Sequence, residues 1–287
     1  MPLRLGSRTF DDDELLVMAV VNRTPDSFYD QGATFAFEEA LTATDAAVAS
    51  GAQIVDIGGV KAGPGEDVTP AEEIRRTAEL IAAVRSRHRD LVISVDTWRA
   101  EVGAAAVQAG ADLINDAWQG FDPGLARVAA DTGVGLVCTH AGHLPPRTLP
   151  HRVRYDDVTA DVVSTVVDLA DRALAAGVRP DGILVDPGHD FGKTTEHSLQ
   201  LTRELDRLVA TGWPVLVALS RKDFVGETLD LPVDERLEGT LAATAVCAWL
   251  GARVFRAHDV RATRRVLDMV SSIRGDRAPS VARRGVD

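Results

Sequence analysis

Short apolar runs alternate with longer amphipathic stretches along almost the whole chain. Eight runs stand out: Leu15–Val21, Ile54–Ile57, Leu91–Val95, Leu113–Ile114, Gly135–Cys138, Ile183–Val185, Pro214–Leu219 and Val254–Phe255. None alternates polar with apolar residues, which is the pattern of strands buried on both faces. Between them apolar residues recur at helical spacing, as at Val158, Val162, Val166, Ala170 and Leu174, or at Leu201, Leu205, Leu208 and Val209. Gly51, Gly110, Gly133, Gly177, Gly212 and Gly251 close several of these segments, as helix C-termini prefer. Four near-copies announce the next strand: SGAQIVDI, AGADLIND, TGVGLVCT and LGARVFRA. Eight strand-helix repeats predict a single-domain α/β fold, a TIM (β/α)8 barrel over residues 1–275. A doubly wound open sheet is the lesser alternative. Residues 276–287 read as a flexible C-terminal tail.

Composition narrows the classes of function. A chain of 287 residues, 45% hydrophobic, is long enough to bury the core of one barrel. Its net charge of −12, with both signs spread along the chain, argues against a nucleic-acid or anionic-membrane partner. A small anionic ligand needs only a local cluster of donors. Cys138 and Cys247 lie in apolar runs without C-x-x-C spacing, so they read as buried thiols of a reducing compartment. Met1 to Phe10 lacks the apolar stretch of a signal peptide, and the longest mainly apolar run, Leu241 to Leu250, is too short to span a bilayer. The expectation is a soluble cytoplasmic protein.

Each strand run ends in a polar residue that a buried strand has no structural reason to carry. In order these are Asn22, Asp56, Asp96, Asn115 with Asp116, His140, Asp186, Ser220 with Lys222, and Arg256 with His258. One such residue can be a helix cap or a loop hydrogen bond. In a parallel barrel all of them converge on the rim where active sites form. Carboxylates and amides suit the donor-acceptor edge of a heterocycle, and Lys222, Arg256 and His258 suit a phosphate. Two other motifs fail. Gly188-His-Asp-Phe-Gly192-Lys193-Thr194 has one residue too few between its glycines for a nucleotide-binding loop. His140-x-x-His143, with His151 nearby, lies in a proline-rich loop without helical register or a cysteine partner, so no structural zinc is expected.

Seven segments resemble, in order, the strand-end motifs of dihydropteroate synthase. They are MAVVNRTPDSF (18–28), VDIGG (55–59) with GPG (63–65), ISVDT (93–97), LIND (113–116), VDPGHDFGKT (185–194), ALSRKDFVG (218–226) and RAHDV (256–260). The resemblance implies condensation of 6-hydroxymethyl-7,8-dihydropterin pyrophosphate with p-aminobenzoate, a folate-biosynthesis step that requires Mg²⁺. It implies that Asp96, Asn115 and Asp186 bind the pterin, with Asp56 on the same wall, and that Lys222 holds its carbonyl and ring nitrogen. Asn22 would ligate Mg²⁺, Arg256 and His258 would grip the pyrophosphate, and Phe28, Pro64, Phe191 and Ser220 would line the p-aminobenzoate side. Family members are usually homodimers through the helices beside the last strands.

The departures cluster in the loops. The family's second loop reads Glu-Ser-Thr-Arg-Pro-Gly, whereas here it is Val60-Lys61-Ala62-Gly63-Pro64-Gly65. Lys61 offers a charge one position away, without arginine's planar fork. Arg23 stands where a small apolar residue is usual, Ala218 replaces a glycine, and Asp190-Phe191 replaces Gly-Phe. The pattern resembles a divergent second-copy branch of the family. Losing a bidentate arginine on departing pyrophosphate costs several kcal/mol, about two to three orders of magnitude in rate. Three readings stay open: a synthase with an unusual loop, a non-catalytic or re-purposed paralogue binding a pterin or aryl acid, and a methyltetrahydrofolate-type pterin methyltransferase.

Overall fold

The computed structural model describes residues 1–24, 36–148 and 153–284. The chain opens with an antiparallel hairpin, β1 (Leu3–Leu5) and β2 (Arg8–Phe10). The barrel strands follow: β3 (Leu16–Asn22), β4 (Ile54–Gly58), β5 (Val92–Asp96), β6 (Leu113–Asp116), β7 (Gly135–Thr139), β8 (Ile183–Asp186), β9 (Leu216–Ala218) and β10 (Val254–Ala257). They pair in parallel in the order β8-β7-β6-β5-β4-β3-β10-β9. A parallel bridge between Val185 and Val215 joins the two ends. The ring closes, which excludes the open-sheet alternative. Most strands run a residue or two past the apolar run, because the polar residue that ends it still pairs in the ladder: Asp96 aligns with Asn115, and Thr139 with Asp186.

The helices are α1 (Phe37–Ala49), α2 (Pro70–Arg87), α3 (Ala100–Ala109), α4 (Gly124–Thr132), α5 (Val158–Ala176), α6 (Thr195–Arg203), α7 (Leu205–Val209), α8 (Asp223–Leu229), α9 (Leu237–Trp249) and α10 (Val260–Arg274). The six glycines expected to end helical segments all have positive φ. The apolar stripe from Leu201 to Val209 is split between α6 and α7 at Glu204, whose backbone leaves the helical region. Val158, Val162, Val166 and Ala170 are buried, but Leu174 is 37% exposed at the end of α5. Among the described residues, no helix is long and apolar enough to cross a membrane.

The barrel carries two separate apolar layers. One lies between sheet and helices and includes Val17, Val55, Ile93, Ile114, Val185, Val217 and Phe255. The other fills the lumen floor with Leu16, Met18, Ile54, Val92, Leu113, Val137, Leu184, Leu216 and Val254. Leu3, Leu5 and Phe10 of the hairpin complete that floor, a role the sequence reading missed. The fit is tight at Gly135, where an added Cβ would stand 2.7 Å from Leu5 and 2.8 Å from the Gly182 carbonyl. The floor seals the bottom of the barrel, so the lumen opens at the mouth.

Candidate functional site

Strand pleating puts every second residue on the same face. Two positions above the apolar floor, the lumen is therefore ringed by Val20, Asp56, Ser94, Asn115, Thr139, Asp186, Ala218 and Arg256. Asn22, Gly58 and Asp96 stand one step higher, and Ser220, Lys222 and His258 follow β9 and β10. The structure therefore gathers Asn22, Asp56, Asp96, Asn115, Asp186, Ser220, Lys222, Arg256 and His258 at one end of the barrel. Phe28 lies outside the described residues, and Pro64 is exposed in the second loop.

Asp56 is the hub of this ring and is fully buried. It accepts hydrogen bonds from Ser94 Oγ at 2.6 Å, Asn115 Nδ2 at 3.0 Å and Arg256 Nε at 2.6 Å. The carboxylate is thus occupied in orienting its neighbours. Arg256 also donates from Nη2 to Asp96 Oδ2 at 2.8 Å, so its guanidinium bridges two carboxylates across the mouth. Its Nη1 makes no hydrogen bond among the described residues. Burial pushes Asp96 up to about 7, against the pull of Arg256 and with help from the nearby Asp56 charge. Burial raises Asp186 as well, offset by Lys222; one of its oxygens accepts from the Gly188 backbone N–H at 2.7 Å. Neutral and charged forms of these acids are therefore closer in energy than in water, as suits groups that read a heterocycle's edge.

Lys222 donates to the His189 carbonyl, and its Nζ lies 4.8 Å from the centre of the Phe191 ring. Burial lowers its pKa, while Asp190 and then Asp186 counter that shift. Asp190 replaces the family's glycine at φ 66°, in the left-handed region. Its side chain accepts from Ser198 Oγ at 3.0 Å and from the Phe224 backbone N–H at 3.2 Å, which fixes the loop. His258 Nδ1 is 3.0 Å from Ser220 Oγ; burial, then Arg256, push its pKa down to about 3. It is neutral near pH 7, so its role toward an anion is hydrogen bonding rather than charge. Arg221 joins the two loops, forking onto both oxygens of Asp259 at 2.9 and 3.1 Å.

His140 turns away from the lumen, contrary to its place in the strand-end series. Lys193 Nζ lies 2.7 Å from its Nδ1, and Asp161 Oδ1 lies 2.8 Å from its Nε2. Lys193 also donates to the Gly188 and Phe191 carbonyls at 2.9 Å each, which ties the loops after β7 and β8 together. His140, His143 and Asp161 form a trio whose ligating atoms lie within 4.8 Å of one another. Its hydrogen bonds do not suit a metal. The Gly142 N–H points at His140 Nδ1 at 3.3 Å, and the Gln119 amide nitrogen lies 2.7 Å from His143 Nδ1. Gln119 is itself oriented by two backbone N–H groups on its oxygen. Both imidazoles then direct Nε2–H, not a lone pair, at Asp161. His151 lies outside the described residues.

Ser94, Thr139 and an aromatic group at the rim join the site without belonging to the strand-end series. Thr139 Oγ1 is buried with no partner among the described residues, beside Asp186. Period-two alternation from Val137 was the available signal. Trp98, Trp118 and Ala141 pack together, with Val60, Ala117 and Phe191 against them. Trp118 meets Phe191 edge-on at 5.1 Å and Trp98 at 6.4 Å. Of the departures, Arg23 is buried, with Nη1 on the Arg76 carbonyl at 3.2 Å and its guanidinium over Phe37, so it is turned toward α2 and α1. Ala62 is exposed, Lys61 is half-buried, and Ala218 is buried in the lumen ring.

Residues 18–258 match the family model described as pterin binding enzyme. The chain is 57% identical over 290 residues, covering all of both sequences, to a Mycobacterium leprae protein named inactive dihydropteroate synthase 2. Dihydropteroate synthase of Yersinia pestis, solved with a sulfonamide drug complex, superposes with a TM-score of 0.91 at 34% identity, covering 96% of this chain and all of that one. That of Xanthomonas albilineans, solved with 4-aminobenzoic acid, gives 0.86 at 37% identity, covering 95% and 98%. A pterin-binding family model spanning most of the chain and full-length relatives above 30% identity agree with a closed barrel whose mouth gathers that family's strand-end residues: the chain belongs to the pterin-binding enzyme family, on its dihydropteroate synthase side.

Proposed function

We propose that this protein binds a pterin at the barrel mouth and carries the dihydropteroate synthase reaction weakly or not at all. The observation that supports this most is the Asp56-centred network, which presents Asn115, Asp96 and Arg256 as an ordered wall beside Asp186 and Lys222. Asp96, Asn115 and Asp186 would take the aminopyrimidine edge, and Lys222 the carbonyl and ring nitrogen. Arg256 through Nη1, together with His258, would meet the phosphate groups. Phe191, Ser220, Pro64 and Phe28 would border a p-aminobenzoate. Weak turnover is supported by the second loop, where Ala62 and Gly63 supply no donor side chain to a departing pyrophosphate.

Mg²⁺ is proposed at this mouth on the chemistry of its oxygens. An ideal Cβ on Gly58 would stand 3.2 Å from Asn22 Oδ1 and 3.9 Å from Asp96 Oδ2, so two hard oxygens flank one notch. Asn22 would hold the ion, which would neutralise charge on the phosphate groups. The protein is further proposed to be cytoplasmic and to form a homodimer. Val246 and Trp249 of α9 and Met269 and Ile273 of α10 are each at least 45% exposed on two helices that pack together. Trp249→Glu should then leave a monomer in sedimentation.

Calorimetry with a pterin pyrophosphate and Mg²⁺ tests the binding, and a turnover assay with p-aminobenzoate tests the chemistry. Binding lost in Asp186→Ala, with turnover far below about one per second, is expected. No heat from the native protein at millimolar ligand overturns the pterin reading. Turnover at about one per second or faster overturns the weak-catalysis reading. Rebuilding positions 60–63 as Glu-Ser-Thr-Arg should raise turnover at least about tenfold, mainly through kcat.

A further inference from the structure

Beyond the barrel mouth, a cavity of about 390 Å³ lies under the second loop. It is lined by Val60, Lys61, Gly65, Glu66, Val68, Arg76 and Arg147. Its volume is in the range of small-molecule sites. Three of the seven lining residues are cations and one is an acid, in a chain whose overall charge is −12. Such a local reversal of sign raises the concentration of anions where the protein as a whole repels them.

The cations reach the cavity from three different elements. Lys61 belongs to the second loop. Arg76 comes from α2, braced by Glu72 at 2.7 Å and by the Gly59 carbonyl at 3.0 Å. Arg147 comes from the loop after β7 and crosses to the second loop, donating from Nε to the Gly63 carbonyl at 3.1 Å and from Nη1 to the Glu66 carbonyl at 2.9 Å. Those carbonyls are neutral acceptors, so they hold the guanidinium in place without cancelling its charge. Its Nη2 makes no hydrogen bond among the described residues. A half-buried arginine fixed by two carbonyls is preorganised for an oxyanion, because little side-chain entropy remains to be lost on binding. Val60, which borders the cavity, packs on the Trp98, Trp118 and Ala141 group, so apolar surface lies next to the charge.

We propose that this cavity is an oxyanion subsite, separate from Arg256 and His258, that takes a phosphate or aryl carboxylate group on Arg147, Lys61 and Arg76. Binding there also clamps the second loop to the loop after β7. The inference does not depend on the pterin reading.

The test is calorimetric titration of the full chain carrying His258→Ala, which weakens the rim's own anion grip. Inorganic pyrophosphate and 4-aminobenzoate are the two probes. At least one of them should bind, and which one does identifies phosphate or carboxylate as the preferred group. Adding Arg147→Ala should weaken that binding at least tenfold, and adding Lys61→Gln should weaken it severalfold. Pterin affinity should be unchanged by either. Circular dichroism checks that both variants fold, which a half-exposed loop position favours. Failure of both probes to bind at 10 mM, or less than a twofold change on adding both Arg147→Ala and Lys61→Gln, overturns the subsite. Absence of pterin binding by the native protein would instead count against the pterin reading alone.

Discussion

Replacing Asp56 by alanine should unfold the barrel mouth energetically before it affects any ligand. The carboxylate has no exposed surface and serves three donors, from Ser94, Asn115 and Arg256. Breaking a buried pair from one side costs about 3–5 kcal/mol, because the remaining charge is left uncompensated. Arg256 keeps Asp96 and 19% of its side-chain surface, which places the expected loss near the lower end, about 3 kcal/mol. With a urea slope of about 3 kcal/mol per molar for a chain of this size, the unfolding midpoint should fall by about 1 M. Asp56→Asn keeps shape and one acceptor, so it should fall about half as far. A second reading separates this account from general damage. The Asp56 charge is one of the causes that raise Asp96, so in Asp56→Ala the Asp96 carboxyl should titrate clearly below about 7 by NMR. A midpoint within 0.2 M of native, judged against the roughly 1 M expected, or an Asp96 pKa that rises, would refute the reasoning.

Three further outcomes follow from the same geometry. Asp96 at about 7 and Asp116 at about 6 lie above their ordinary 3.8, so the folded state binds the extra protons; the stability they contribute is whole below about pH 4 and is lost as pH climbs through 6 and 7. Urea midpoints from pH 5 to 8 should show this fall, and Asp96→Asn should flatten it. Asp190→Gly relieves a left-handed backbone worth about 1 kcal/mol and loses two acceptor contacts, so stability should change by less than about 1 kcal/mol. It also removes a counter-charge that keeps Lys222 protonated, so pterin affinity should fade at a lower pH than in the native protein. Lys193→Ala leaves the Phe191 carbonyl without its donor and takes one of two donors from the Gly188 carbonyl and from His140 Nδ1, and should cost about 1–3 kcal/mol by denaturation.

The barrel was legible in the chain because buried parallel strands need uninterrupted apolar runs and helix ends need glycine, both of which are local demands. The polar residues that end those runs pointed to the rim for a similar reason, since a strand with two buried faces tolerates a polar side chain only where it meets water or a ligand. Asn22, Asp56, Asp96, Asn115, Asp186, Lys222, Arg256 and His258 therefore carried their place in the sequence. Their division of labour did not. Whether Asp56 reads a ligand or holds Arg256 depends on which side chains face it across the lumen, from strands up to 200 residues away along the chain. His140 looked like its neighbours in the series, but parity along β7 sends Val137 and Thr139 inward, and the turn after the strand hands His140 to Lys193 and Asp161. The hairpin that plugs the barrel floor, the aromatic group over the rim and the Arg147 clamp share this origin. Each joins segments with no common local pattern, so only closure of the ring brought them into contact.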